Sequence, residues 1–261
     1  MFKRLRLQAS SKSGAKKRPE MEFRRRSHDI SRIEAFSDVV FGFSLTLLVV
    51  SLEVPHTFHE LLADMRGFVP FAVCFGLLAQ VWWLHHTFFR RYGLDDTTTV
   101  VLNFVLLFVV LFYTYPLKFV FVGLFNQITG HTFSYDAAGK PMPWIEAQQA
   151  PILMIIYGLG YAAVFLIFVL LYRNALRKRY ELELTPLELF DTRTSIWENG
   201  FQFGIGILCA AVAAILPARM GGMAGFIFFL IPVGMGVIGS RRGATRRKME
   251  AEAARRDQIE D

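Results

Sequence analysis

Cysteine is nearly absent: Cys74 and Cys209 are the only two in 261 residues, and each lies inside an apolar run. That leaves no basis for a disulfide framework or a cysteine-ligated zinc site, and reads both as small core residues. Enzyme signatures are missing too. There is no G-x-S-x-G, no H-E-x-x-H, no P-loop and no Rossmann glycine pattern, so neither catalysis nor a nucleotide cofactor has support. No A-x-A-like site follows the first apolar run, so a cleaved signal peptide is not expected. Charge, finally, is scarce over long stretches.

Those stretches are apolar. Hydrophobic residues make up 53% of the chain and aromatics 15%, with 26 phenylalanines. Six runs approach membrane length, near 35–54, 68–89, 98–125, 150–172, 196–216 and 222–239. The last is short, but its glycines and proline are tolerated in membrane helices. The expected fold is all-α, a polytopic membrane protein with six transmembrane helices. Of the 29 Lys and Arg, 25 lie before the first run, after the second, after the fourth or after the sixth. Positive residues mark the cytoplasmic side, which places both termini there and agrees with an even number of spans.

Three segments follow: a basic tail at 1–31, a membrane domain at 32–240 and a charged tail at 241–261. The basic tail lacks the interleaved aromatics of a base-stacking arm, so it reads as held near anionic headgroups, with no nucleic-acid partner. The last segment reads as an amphipathic or helical extension. The net charge of +7 then reflects membrane topology.

The first run is the least uniform. At about 100° per residue, Phe36, Val40, Phe43, Leu47, Val50 and Val54 form one bulky apolar stripe. Ser37, Ser44 and Ser51 run beside it, and Gly42, Thr46 and Glu53 lie on the other flank. A helix facing only lipid needs no such division, so this one is expected to face protein or a pore.

The second run ends in Trp82, Trp83, His85, His86, Phe89, Arg90 and Arg91, an aromatic and basic membrane edge. Adjacent histidines point about 100° apart on a helix and do not share one metal ion. No facing histidine lies at similar depth for haem, so no metal and no cofactor is expected. One histidine should instead meet Arg32, Ser37 and Asp38 at the same depth. Asn103, an amide costly to leave unpaired in lipid, joins them from the third run. Asp95 and Asp96 read as its N-terminal caps, and Pro116 is expected to bend its outer half. In the later runs Gly158, Gly160, Gly200, Gly204, Gly221 and Gly225 suggest close helix packing.

Arg32-x-x-x-Phe36-Ser37-Asp38, followed by Thr46-Leu47-Leu48-Val49, resembles the signature of the transmembrane protein 175 family of potassium channels. Trp82-x-x-His85-His86-x-x-Phe89 is similar to the end of the family's second helix. Leu102-Asn103 and Pro116 are similar to its third, with Thr114 where a second proline is common. The resemblance covers the first three runs well and the rest by count and length.

It implies that the first helix lines a pore shared by four copies, with a bulky apolar constriction in place of a carbonyl filter. The T-V-G-Y-G filter of ordinary potassium channels is indeed missing. Counted from Ser37-Asp38, the constriction falls on Phe43, Leu47 and Val50, the stripe already found. Its narrowest position usually carries Ile, and here it is Phe43. Thr46 flanks it, and Glu53 stands at the outer mouth. Read from their shared depth, Arg32, Phe36, Ser37, Asp38, Trp82, His85, His86 and Asn103 form a structural network tying the first helix to its neighbours, with a proton relay as the alternative.

The implied protein is a homotetramer in membrane lipid, passing potassium and other monovalent cations or protons, in a bacterial plasma membrane. A proton-coupled or other secondary transporter is the alternative. It would predict inverted repeats, and none is visible between the first and last three runs.

Overall fold

The apolar runs become helices whose ends are set by a few identifiable residues. The computed structural model describes residues 23–26, 31–50, 57–58, 65, 67–130, 133–135, 141–143, 145–146 and 148–260. In chain order the helices are α1 (Arg32–Val50), α2 (Phe68–Tyr92), α3 (Thr97–Ile128), α4 (Ala150–Arg177), α5 (Pro186–Ile215), a 3-10 helix (Ala218–Phe229) and α6 (Leu230–Glu260). Two three-residue antiparallel strands, β1 (Phe133–Tyr135) and β2 (Pro141–Pro143), lie between α3 and α4. Among the described residues the fold is all-α apart from that hairpin. α2, α3, α4, α5 and the stretch Ala218–Glu252 are each long and apolar enough to cross a membrane. α1 is 19 residues long and carries 35–50 of the first apolar run, whose residues 51–54 lie outside the described residues.

Local chemistry explains the boundaries. Ser31 and Glu34 form a capping box at the start of α1: the Ser31 N–H donates to Glu34 Oε2 at 2.9 Å, and the Glu34 N–H to Ser31 Oγ at 3.2 Å. α2 stops at Gly93, whose φ of 57° is left-handed and whose N–H donates to the Phe89 carbonyl. Asp96 precedes α3 in extended conformation, accepting from the Thr99 hydroxyl at 2.7 Å. The Asn174 amide, near the end of α4, donates to both Asp96 oxygens at 3.2 Å. α3 then continues through Pro116 as one helix to Ile128.

α4 and α5 are the most closely packed pair, and glycine makes their approach possible. A Cβ on Gly158 would lie 2.7 Å from the Gly206 carbonyl, and one on Gly206 would lie 2.7 Å from the Gly158 carbonyl. The expected small-residue contact is therefore present, but not where G-x-x-x-G suggests. Gly200 and Gly204 face open space, since the contact needs the α5 face carrying Gly206 and Ala210.

The sixth span departs from the expected plain helix over 222–239. Its first half is a 3-10 helix, and α6 runs on through the expected boundary at 240 to Glu260. Three residues per turn place Ala218, Gly221, Ala224 and Ile227 on one face. Of these, Gly221 and Ala224 are buried and Ile227 packs on the core. Met220, Met223, Phe226 and Phe229 line an exposed face at the same spacing. At about 2.0 Å per residue the twelve residues reach about 24 Å, against about 18 Å as α-helix, so a short run is stretched.

Within the basic N-terminal segment, residues 23–26 are docked. The Phe23 ring meets Tyr92 edge-on at 5.4 Å and lies under the Arg91 guanidinium at 5.0 Å. Glu188 receives the Arg24 N–H at 2.9 Å and Arg26 Nη2 at 2.8 Å. It also completes a capping box with Thr185 at the start of α5.

Two outcomes test this packing. Gly206→Leu should abolish stable folding, or lower stability by more than the roughly 1–3 kcal/mol of ordinary overpacking, because backbone lies opposite. Gly204→Ala should leave the melting temperature unchanged or raise it. Asp96 supplies a pH test. Burial opposes its charge, but hydrogen bonds from Thr99 and Asn174 and the nearby Lys178 ammonium outweigh it, holding the carboxyl below its ordinary 3.8. A depressed carboxylate stabilises the fold above pH 3.8 and loses that contribution as pH falls below it. Melting curves should therefore show wild type well above Asp96→Asn at neutral pH, and the gap closing in acid.

Candidate pore face and its anchoring network

α1 has two unlike sides. Glu34, Ser37, Phe41, Ser44 and Leu48, spaced by three and four, are buried against α2 and α3. The serines meet no lipid. Ser37 Oγ donates to the Ile33 carbonyl at 2.7 Å and Ser44 Oγ to Val40 at 2.9 Å. The small polar stripe is thus the packing face, since small side chains let three helices approach.

Ser37 also begins a chain of hydrogen bonds across all three helices. The Asn103 amide nitrogen, from α3, donates to Ser37 Oγ at 2.9 Å. The Asn103 oxygen then accepts from His85 Nε2 of α2 at 2.8 Å. With the amide nitrogen committed to Ser37, His85 must carry its proton on Nε2. The imidazole lies between Phe41 at 5.5 Å and Phe89 at 4.6 Å, and is fully buried.

A second contact lies nearer the surface. The Trp82 indole N–H donates to Asp38 Oδ1 at 2.8 Å, and His86 stacks on Trp82 with centroids 5.4 Å apart. Phe36 meets Phe104 of α3 at 5.6 Å. So Phe36, Ser37, Asp38, Trp82, His85, His86 and Asn103 are brought together, with His85 in the core and His86 beside it. Arg32 is not. It is exposed, and among the described residues it has no ion-pair or hydrogen-bond partner. Asp38, the acid expected at the same depth, accepts from Trp82 instead.

The other side of α1 is bare. Val39 is 70% exposed, Phe43 56% and Leu47 40%, with Gly42 and Thr46 exposed among them. Thr46 Oγ1 is satisfied by the Phe43 carbonyl at 2.7 Å. Val40, counted in the stripe, packs instead against the core. Val50 is the last helical residue of α1, and Glu53 lies outside the described residues.

Three residues escaped the sequence reading. Val39 is the most exposed large hydrophobic among the described side chains of α1, one turn before Phe43. Glu34 caps the helix, and the S-x-x-E spacing of Ser31 and Glu34 carried that signal. Lys118, counted only for its charge, donates from α3 to the Leu48 carbonyl at 2.8 Å, fixing the last turn of α1. No local pattern announces such a bond 70 residues away.

Replacing Asn103 by Ala would strand the His85 N–H in a dry site, so a loss of about 1–3 kcal/mol is expected. Arg32→Gln should cost much less. Melting temperatures in one detergent compare the two.

Known proteins share both sequence and architecture with this chain. The family model described as endosomal/lysosomal potassium channel TMEM175 matches residues 32–114, the region of the network and the bare face. A protein named potassium channel, from Marivirga tractuosa, is 39% identical over 220 residues, 82% of this chain and 88% of that protein. The crystal structure of a variant of the potassium channel MtTMEM175, bound to a nanobody–MBP fusion, superposes with a TM-score of 0.72. It is 37% identical and covers 84% of this chain and 97% of that one. A lysosomal potassium-selective channel TMEM175 homolog from Chamaesiphon minutus shares the fold at a TM-score of 0.52 and 22% identity, over 81% of this chain and 96% of that one. A continuous match of this extent, together with the helix-spanning network inside the family region, makes this chain an integral membrane protein of the TMEM175 family.

Proposed function

We propose that this protein is a potassium-permeable cation channel in which copies of α1 surround one axis, with the bare face of each turned inward. The observation that carries the reading is the division of α1: a polar face fixed to α2 and α3, and a bulky apolar face left open. The names of the relatives support potassium as the permeant ion. A homotetramer is the assembly, and both termini lie in the cytoplasm of a bacterial cell, as the distribution of Lys and Arg supports.

Phe43 is the principal constriction, about 12 Å along the helix from Ala35, with Leu47 and Val50 extending the dry section. Such a constriction closes by dewetting and offers an ion no replacement for its hydration shell. Thr46 is the nearest hydroxyl on the open face. Glu53 gathers cations at the outer mouth. Val39 joins the lining on the opposite side of Phe43.

Flux from liposomes holding the purified protein, compared for potassium, sodium and protons, tests the reading. Potassium flux without proton coupling is expected, and obligatory proton exchange would mean a transporter. Phe43→Ala should raise flux and relax selectivity, and Phe43→Ile should restore discrimination. Assembled Phe43→Ala protein with wild-type flux would remove Phe43 from the constriction.

A further inference from the structure

A cavity of about 640 Å³ opens at the charged end of the bundle. Its walls come from the end of α2, the first half of α5, residues 23 and 25, and α6. Four arginines line it: Arg25, Arg90, Arg91 and Arg246. The lining acids are Asp191 and Glu198. Asp191 is engaged by Arg246 at 3.0 Å, and Glu198 lies in the field of Arg91 and Arg242. Among the described residues, Arg25 and Arg90 have no carboxylate within ion-pair distance. The cavity therefore keeps net positive charge, at a cost in self-repulsion that a bound anion would offset.

We propose that this cavity binds a phosphate-bearing anionic group. Arginine forks match phosphate oxygens in pairs, and the volume exceeds what a lone small ion fills. Trp83 lines the cavity and is exposed, and Trp197 is exposed on the same stretch of α5. Exposed tryptophans mark the headgroup level of a membrane, where basic pockets between helices meet lipid phosphates. The same chemistry would take the headgroup of an anionic phospholipid or a soluble phosphate.

The test uses the full chain in mild detergent. Native mass spectrometry with added phosphatidylglycerol or phosphatidylcholine counts bound lipid, and thermal melting with inorganic phosphate or pyrophosphate reads the soluble source. Variants are Arg25→Gln with Arg90→Gln, and a control of equal charge loss, Lys248→Gln with Arg255→Gln on the exposed part of α6. Phosphatidylglycerol should bind the wild type and the control alike, and the cavity variant about tenfold more weakly. Protection by soluble phosphate, lost in the cavity variant alone, would assign the site to that source. If the double variant does not fold, Arg90→Lys, which keeps charge but loses the fork, should show the same direction of change. Equal binding by all variants, equal binding of phosphatidylcholine, or no binding of either phosphate source overturns the proposal.

Discussion

The hydrogen-bond chain from Ser37 through Asn103 to His85 is the constraint on which the rest of this structure depends. Between helices, no water competes for these groups, so each must find its partner in another helix or remain unpaired. Asn103 has one donor and one acceptor direction in use, and each selects a different helix. That fixes the rotation of α1 about its own axis. Turning α1 by one residue, about 100°, would carry Ser37 away from Asn103 and bring Phe36 and Phe43, or Asp38 and Leu45, onto the packing face. The open apolar face is thus a consequence of the polar one.

The remaining helices hold that arrangement in place. α2 supplies both His85 and Trp82 to α1, and its last turn is fixed by Tyr92, whose hydroxyl shares a 2.7 Å bond with Thr192 of α5. Phe23 covers Tyr92, and Glu188 ties residues 24 and 26 to the start of α5. The glycine contact of α4 with α5 makes a rigid pair. Tyr113 of α3 joins that pair, its hydroxyl donating to the Tyr157 carbonyl at 2.8 Å. Lys118 secures the other end of α1. The same basic segment that docks on α5 also contributes Arg25 to the cavity, so fixing the bundle end and concentrating positive charge there are one design.

How far this was legible in the sequence depended on whether a feature is local. Membrane runs, the hydrophobic division of α1 and the joint depth of Ser37, His85 and Asn103 follow from spacing alone. The choice of His85 over His86 does not, because it needs the azimuth of α2 against α3. Arg32 and Asp38 are expected at one depth, yet six residues on a helix put them about 120° apart, toward different neighbours. Gly200 and Gly204 fit a packing motif on the wrong face of α5. The 3-10 helix was readable in principle: Met220, Met223, Phe226 and Phe229 repeat every three residues, a period passed over in favour of the α-helical one.

The central claim is that the bare face of α1 meets its own copies around one axis. Pulsed dipolar spectroscopy on reconstituted protein, with single spin labels at Val39 or at Phe229 and Cys74 and Cys209 replaced by Ala, measures this directly. The account predicts strong coupling between chains and the shorter distances at Val39. Longer distances at Val39 than at Phe229, or no coupling between chains at Val39, would contradict it.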